Sequence, residues 1–310
     1  MADIKRRHSL HQTRTAVEFS EALAKEGVDL DEVLGAYANA TNPPGVMLVG
    51  SLAEGLANEA SDIDLLILLD RREDGRDLSE GLGLHAGRAV EQLFYRNGLE
   101  INVEAFVRED VERLMTGFVT LAPALYDPSK LDRIPLLQPY DLRFLHRLKT
   151  GWPLRGQATV ARWRDELLTA LLPTYLALLN FNQFDEHFED AMSMRADHPA
   201  ASIFIGRICV ESALLALLAT VGFTNQNRKW LVHLCDKARP TAAGALLMEG
   251  RALLLESCGE ADAVDFTDRV GAFGRQLTGH MRSDPELRSA IDFLREQISY
   301  VPVPPSPVNA

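Results

Sequence analysis

Asp62 and Asp64 are the two side chains whose types and spacing most directly suggest chemistry in this sequence. They stand at the start of the apolar run Ile63 to Leu69, which is typical of a short buried strand. Because residues two apart on a strand point to the same face, both carboxylates would project side by side. A cation relieves their repulsion, and carboxylate oxygens suit Mg²⁺, which also takes oxygens from substrate phosphates. The pair therefore predicts a site for magnesium and phosphate.

A glycine and a serine precede this pair at a distance that a loop can span. Gly50 and Ser51 follow a second apolar run, Val46 to Val49, which is also typical of a buried strand. Glycine lets the backbone approach a ligand closely, and the serine offers a hydroxyl and an N–H group to a phosphate oxygen. Gly50 and Ser51 are therefore candidate nucleotide-binding residues.

Gly50-Ser51, a spacer of ten residues and Asp62-Ile63-Asp64 together resemble the signature of the DNA polymerase β-like nucleotidyltransferase superfamily. An ordinary strand–loop–strand with solvated acids explains the loop, but not two acids that lead straight into an apolar strand. The motif support covers residues 45–107. The remainder resembles the small-molecule, aminoglycoside-type members by architecture alone. The resemblance implies a Mg²⁺-dependent enzyme of the EC 2.7.7 type that releases pyrophosphate.

The resemblance also implies cofactors and partners. Two Mg²⁺ ions on Asp62 and Asp64 would bridge the phosphates of ATP or another nucleoside triphosphate, an arrangement suited to in-line displacement. The acceptor would be a hydroxyl group of a small molecule, such as an aminoglycoside-like or natural-product compound, and would receive AMP. One departure is Glu54, an acid where many relatives have a neutral or basic residue; it would weaken nucleotide binding or point outward.

A third carboxylate is expected on the strand Leu99 to Val107. Its residues alternate, so that Ile101 faces one side of the sheet while Glu100 and Glu104 face the other. A strand beside the one with the aspartates would bring one of these glutamates into the same cluster. In the resembled superfamily such a carboxylate completes the site, and Glu104, deep in the strand, is the choice over Glu100. The resemblance implies that Glu104 is either a metal ligand or the base that deprotonates the acceptor.

A polar loop in the second half of the chain offers two cations to a nucleotide. Arg228 and Lys229 lie within Thr224 to Leu234, and this loop resembles one in antibiotic nucleotidyltransferases whose lysine reaches the triphosphate. A cation there would neutralise charge that develops on pyrophosphate. The alternative is a solvated basic pair before a helix. Arg228 and His233 also have the spacing of a HEPN-type ribonuclease, but this spacing arises easily by chance.

Periodicity and the resemblance together predict an α+β protein of two domains, with the boundary close to Gly156. Residues 1–155 would form a nucleotidyltransferase domain with a small mixed β-sheet flanked by helices, residues 156–300 an all-α helical bundle, and residues 301–310 a proline-rich tail. Within the first domain a helix is predicted from Ser79 to Tyr95, stopped by Asn97-Gly98. The bundle would begin with one long helix from Val160 to Phe184. Further helices are predicted at Ala200 to Val221, Trp230 to Ala238, Thr241 to Glu256, Ala261 to Leu277 and Pro285 to Ile298.

Composition limits the classes of function. The net charge of −12 disfavours nucleic acid as a partner, since such binding needs Lys and Arg, and it favours a cationic acceptor. No apolar run approaches the roughly 20 residues of a membrane span, and no signal peptide is recognisable. The three cysteines are far apart and form no CxxC pair, which fits a reducing compartment. The sequence therefore predicts a cytoplasmic protein without a membrane partner.

Carboxylates of the helical half are candidates for the acceptor side. A cluster from Asp185 to Asp190 is predicted to form a solvated face. Glu211 lies on a mostly apolar helix and should be paired, for instance with Arg207, or face a cleft. Two other functions remain open: a nucleotidyltransferase that AMPylates a protein, as in toxin–antitoxin systems, and an inactive nucleotide-binding module. The sequence does not identify the acceptor or the oligomeric state.

Overall fold

The structure is a computed structural model that describes residues 10, 13–34, 45–58, 61–70, 90–125, 127, 137–164 and 171–298. The chain divides into two compact units. The N-terminal unit contains residues 1–119 and 138–169, and the C-terminal unit contains residues 120–137 and 170–310. The domain limits predicted from the sequence stay predictions.

A five-stranded mixed sheet forms the centre of the N-terminal unit. Its strand order is β3-β4-β2-β1-β5, in which β2 and β4 are parallel and the other neighbours are antiparallel. The strands are β1 (Gly45–Val49), β2 (Ile63–Leu69), β3 (Val90–Arg96), β4 (Leu99–Val107) and β5 (Trp152–Arg155). The predicted mixed sheet is thus confirmed.

Strand β3 replaces part of a predicted helix. The prediction of a helix from Ser79 to Tyr95 is wrong over residues 90–95, which form β3, and residues 79–89 lie outside the described residues. Asn97 and Gly98 do not stop a helix but make the two-residue turn between β3 and β4. Both have positive φ, 51° and 81°, as a type I′ hairpin turn requires.

Helices cover both faces of this sheet. In chain order they are α1 (Ala16–Lys25), α2 (Leu30–Leu34), α3 (Gly50–Glu54), α4 (Arg108–Leu125), of which residues 120–125 belong to the C-terminal unit, α5 (Pro139–Thr150) and α6 (Gln157–Trp163). One face carries the core cluster of alternate strand residues, with Phe19 and Leu23 of α1 against it. The opposite face carries Phe106, which contacts Phe144 of α5 with ring centroids 4.5 Å apart. Helix α5 therefore lies on the face to which Asp64 and Glu104 also belong.

The C-terminal unit is helical throughout its described residues. Its further helices are α7 (Leu171–Met194), α8 (Pro199–Thr220), α9 (Leu231–Ala238), α10 (Gly244–Leu255), α11 (Ala263–Ser283) and α12 (Pro285–Ile298). The predicted helical bundle is confirmed. Of the helix predicted from Val160 to Phe184, residues 165–170 lie outside the described residues; α6 covers its first part, and α7 covers its last part and continues for ten residues beyond Phe184.

Helix α8 is the centre of the bundle. It packs against α7, α9, α10 and α11, and it is apolar nearly all round because it has neighbours on most sides. Of the described helices it alone is long and apolar enough to cross a membrane, and 67% of that window is buried within the protein. The burial follows from the packing of α8 against its four neighbouring helices.

Candidate functional site

Strand pairing places Gly50 directly beside Asp64. Val49, the last residue of β1, is paired with Asp64 of β2, so the Gly50-Ser51 turn begins next to that aspartate. Gly50 has a φ of 72°, and a Cβ atom at this position would lie 2.2 Å from Asp64 Oδ2. Only glycine suits both the backbone and the carboxylate. Ser51 follows, half-buried, in the first turn of α3.

Asp62 and Asp64 are both half-buried, at the beginning of β2. Asn102 of β4 is the register partner of Asp64, and its Nδ2 atom donates a hydrogen bond to Asp62 Oδ2. The amide therefore lies beside both aspartates. The structure thus brings together four of the residues singled out by the sequence, namely Gly50, Ser51, Asp62 and Asp64.

Glu104 lies farther along the sheet than the sequence suggests. Its register partner is Leu66, two residues beyond Asp64, which corresponds to about 6.6 Å along a strand. The residue is 7% exposed. Its Oε1 atom accepts a hydrogen bond from Arg147 Nη1, and Arg143 Nη2 lies 3.5 Å from the same oxygen. Glu104 is thus held by cations of helix α5.

Arg147 connects this glutamate to the aspartate. While its Nη1 atom bonds Glu104, its Nη2 atom lies 3.8 Å from Asp64 Oδ1. The side chain of Arg147 is only 14% exposed. One buried guanidinium group therefore spans two carboxylates, which its planar fork of donors suits better than a lysine would.

Local sequence explains why α5 can present these cations. The helix begins with Pro139, whose missing N–H group costs nothing at this position, and the N–H group of Gln138 donates to Asp141 Oδ2 at 3.3 Å. Arg143 and Arg147 are four residues apart and so share one helix face. Burial lowers the pKa of Lys149 on the same helix.

A second contact joins α5 to the Gly50-Ser51 turn. His146 Nε2 lies 3.1 Å from Glu54 Oε1, and the two side chains are 8% and 11% exposed. Glu54, the unexpected acid of the turn, therefore points toward α5 and not outward. Its carboxylate lies beside the imidazole ring of His146.

Arg228 and Lys229 lie in the C-terminal unit, in a 3₁₀ turn before α9. Asn227 caps this turn, since its side chain accepts from the Lys229 N–H group at 3.1 Å. Lys229 is exposed, and its Nζ atom lies 5.2 Å from the centroid of the Trp230 ring. Arg228 Nε lies 3.2 Å from Glu211 Oε2, so Glu211 pairs with Arg228. The roles of both cations toward a nucleotide stay predictions.

The two aspartates offer oxygen ligands of the kind that a hard metal ion needs. Among the described residues, no three His, Cys, Asp or Glu side chains are grouped closely enough to hold a metal. Mg²⁺, however, typically takes one or two carboxylates and completes its six oxygens with water and phosphates. Asp62 and Asp64 meet that smaller demand, and the missing Cβ of Gly50 leaves room for the Asp64 carboxylate. The aspartates therefore fit Mg²⁺ without Glu104.

Asn102, Arg143 and Arg147 are the residues that sequence reasoning missed. Alternation along β4 already places Asn102 on the face of Glu104, and the four-residue spacing of the arginines was visible in the helix. What the sequence does not contain is the register of β4 on β2 and the packing of α5 on this face. Both depend on contacts between distant parts of the chain.

Comparisons with known proteins found one matching family model and similar solved structures. The family model of the nucleotidyltransferase domain matches residues 41–112, which include the Gly50-Ser51 turn, both aspartates and Glu104. The chain is also similar to the crystal structure of a nucleotidyltransferase-like protein from Exiguobacterium sibiricum 255-15, with a TM-score of 0.46 and 11% identity, over 89% of this chain and 80% of that chain. No curated protein matches. The predicted superfamily is thus supported for residues 41–112, while the aminoglycoside-type subgroup stays a prediction.

Proposed function

We propose that this chain is an enzyme that transfers a nucleoside monophosphate from a nucleoside triphosphate to a hydroxyl group and releases pyrophosphate. The observation that carries the proposal is the β1–turn–β2 unit inside the matched region, where Gly50 lies against Asp64 Oδ2 and Asp62 precedes the same strand. A close backbone approach next to two carboxylates suits a metal-bound triphosphate.

Asp62 and Asp64 would hold one or two Mg²⁺ ions together with the nucleotide. When bound, the metal supplies positive charge to the phosphate oxygens. Asn102 holds Asp62 through its amide, and the Ser51 hydroxyl and N–H group are available to a phosphate oxygen. The resemblance offers two roles for Glu104, third metal ligand or general base, whereas its ion pairs with Arg147 and Arg143 favour a structural role.

The helical unit would supply Lys229 to the triphosphate. Its support is an exposed ammonium group on a turn that Asn227 caps, so the backbone that carries it is fixed. Arg228 is the weaker candidate, because its guanidinium already pairs with Glu211. These assignments rest on resemblance and exposure.

The acceptor and donor follow from general properties of the chain. A net charge of −12 favours a cationic small molecule over a polyanion, and ATP is the donor by resemblance. A cytoplasmic location is supported by Cys209, Cys235 and Cys258, which are all free thiols, as is usual in a reducing compartment.

Calorimetry of nucleotide binding with and without Mg²⁺ tests the proposal. Wild-type protein is compared with Asp62→Asn and Asp64→Asn. Asp70→Asn is the matched control, because Asp70 lies just past the other end of β2 and is 62% exposed in its pair with Arg108. We expect Mg²⁺-dependent binding that falls at least about tenfold in the first two variants and is unchanged in the control.

A transfer assay with α-labelled nucleotide then identifies the acceptor class. Label on an aminoglycoside or another small hydroxyl compound supports the proposed activity, and label on a protein selects the AMPylating alternative. Folded protein that binds none of the four nucleoside triphosphates would overturn the enzyme assignment. Binding of nucleotide without any transfer would indicate an inactive module.

A further inference from the structure

Glu104 does not lie in the place that a third ligand beside the aspartates would occupy. In the parallel pairing of β2 and β4, the partner of Asp64 is Asn102, and Glu104 is displaced by two residues toward the sheet interior. The amide of Asn102 already bonds Asp62. The position next to both aspartates is therefore taken by a neutral amide.

The surroundings of Glu104 are those of a buried counter-ion. A carboxylate that is 7% exposed needs a charged partner, and Arg147 bonds it while Arg143 lies 3.5 Å away. A metal ion shared by Glu104 and Asp64 would have to occupy the space that the Arg147 guanidinium fills between them. A metal-ligand role for Glu104 thus requires Arg147 to leave a buried position.

The two oxygens of Asp64 face different partners. Oδ1 is 3.8 Å from Arg147 Nη2, whereas Oδ2 lies against Gly50, 2.2 Å from the point where a Cβ would stand. A guanidinium group on the Oδ1 side therefore fixes the carboxylate so that Oδ2 faces the Gly50-Ser51 turn. That turn is where the proposed function places the phosphates.

We propose that Arg147 is a positioning residue that orients the Asp64 carboxylate, and that Glu104 anchors Arg147 and is neither a metal ligand nor the base. This inference rests on the proposed function, since Asp64 needs orienting only if it holds the metal of the nucleotide. If Glu104 only anchors Arg147, a change at Glu104 affects metal binding only through Arg147. A metal ligand or a general base would act on the reaction directly, so this dependence distinguishes the anchoring role from the two roles that the resemblance implies.

A double-mutant cycle tests this dependence. The variants are Glu104→Gln, Arg147→Met and their combination, and the readout is Mn²⁺ affinity in the presence of α,β-methylene-ATP, whose α-phosphate cannot be transferred. We expect each single change to weaken Mn²⁺ binding about 10–100-fold, as loss of a residue that orients a ligand does. The double variant should bind like Arg147→Met alone, because Glu104 has nothing left to anchor.

Arg143→Met is the matched control. Arg143 approaches the same oxygen, but its side chain is 42% exposed, and its guanidinium lies 5.0 Å from the centroid of the Tyr140 ring. We expect it to change Mn²⁺ affinity less than about threefold, which is below the effect expected of an orienting residue. Arg147→Lys should recover only part of the affinity, because an ammonium group does not span two carboxylates.

Several results would overturn the inference. One is a further tenfold loss of Mn²⁺ affinity when Glu104→Gln is added to Arg147→Met. Another is loss of transfer in Glu104→Gln with unchanged Mn²⁺ affinity, which would make Glu104 the base. If Arg147→Met alone does not fold, the double variant, which removes both members of the buried Glu104–Arg147 pair, decides: transfer within about 100-fold of wild type supports the inference, and a larger loss contradicts it. Wild-type protein that binds no Mn²⁺ with nucleotide would instead overturn the proposed function itself.

Discussion

Gly50 is the residue at which backbone conformation and site geometry depend on each other most directly. Its φ of 72° is one that side chains other than glycine rarely adopt, and its missing Cβ makes room for Asp64 Oδ2. Gly50→Ala is therefore expected to cost about 1–2 kcal/mol of unfolding free energy for the left-handed backbone and, in addition, to displace the carboxylate. Nucleotide binding in Mg²⁺ should be lost, as measured by calorimetry beside a denaturant titration.

Gly55→Ala is a control with the same backbone cost. Gly55 has a φ of 66°, and the nearest heavy atom to its added Cβ would be Arg14 Nη1 at 4.0 Å. This variant should lose similar stability but keep its nucleotide affinity. Equal affinity losses in the two alanine variants would show that strain in the turn, and not the contact with Asp64, explains the effect.

Asn102 offers a second test at the scale of one residue. Asn102→Asp replaces the amide that donates to Asp62 by a carboxylate that repels it. The metal-free variant should therefore melt at a lower temperature than wild type. Its melting temperature should rise more than that of wild type when Mn²⁺ is added, since a third carboxylate strengthens the metal site. Thermal unfolding with and without Mn²⁺ measures both effects. If the variant melts at a lower temperature but Mn²⁺ raises its melting temperature no more than that of wild type, the proposal that a metal ion binds beside these residues is contradicted.

The residues of the site differ in how far sequence alone identifies them. Asp62 and Asp64 are two positions apart, so their shared face follows from strand geometry without any tertiary information. Arg147 lies 83 positions from Asp64 along the chain, and only the folded sheet and helix bring them together. A contact of that kind leaves no periodic or spacing signal, which is why the two aspartates were predicted and their arginine was not.

At the scale of elements, the β3–β4 hairpin shows where periodicity failed. Residues 79–95 have enough apolar positions at helical spacing to suggest a helix, and Asn97-Gly98 is a common way to end one. The same dipeptide is also the strongest short-range hairpin signal, and pairing with β4 makes residues 90–96 a strand. The helices of the bundle were predicted well, because long periodic segments carry more signal than short ones.

An ion pair between two helices of the C-terminal unit should make its stability depend on pH. Asp185 of α7 is buried, and Arg295 Nη1 of α12 lies 3.0 Å from it. Burial raises the pKa of Asp185 to about 6, Glu189 adds to this, and Arg295 opposes it. The cluster of acids from Asp185 to Asp190 is therefore not wholly the solvated face expected from the sequence.

The sign of the pH effect follows from the raised pKa of Asp185. The folded protein holds this proton more tightly than the unfolded chain, so the associated stability is fully present below about pH 3.8 and is lost as the pH rises through about 6. Asp185→Asn removes this titration. Relative to wild type, its unfolding free energy should rise by about 2 kcal/mol between pH 4.5 and 7.5.

Denaturant titrations of both proteins across this pH range measure the difference. Asp268→Asn serves as control, since Asp268 is 62% exposed in its pair with Arg195. The difference in unfolding free energy between Asp268→Asn and wild type should stay nearly constant over the same pH range. A constant difference for Asp185→Asn as well would mean that the carboxylate of Asp185 titrates at its ordinary value.

At the scale of the whole molecule, the chain combines a sheet unit that carries the aspartates with a helical unit that carries Lys229. The sequence predicted this division, because strand-like runs end early in the chain and helical periodicity follows. Helix α8 could be predicted as apolar on all sides, but its central place in the bundle is a result of packing with four neighbours. The proposed role of Lys229 toward the nucleotide can be tested directly.

Lys229→Met should weaken the affinity for ATP roughly tenfold or more if the ammonium group binds a terminal phosphate, because a hydrogen bond between charged groups is lost. The loss should be much smaller for AMP, which lacks the β- and γ-phosphates. Lys237→Met removes the same charge from an exposed position on α9 and should leave both affinities unchanged. Calorimetry with both nucleotides in Mg²⁺ gives the four comparisons. Equal losses for ATP and AMP would assign Lys229 to another part of the nucleotide, and unchanged ATP affinity would confine nucleotide binding to the unit that carries Asp62 and Asp64.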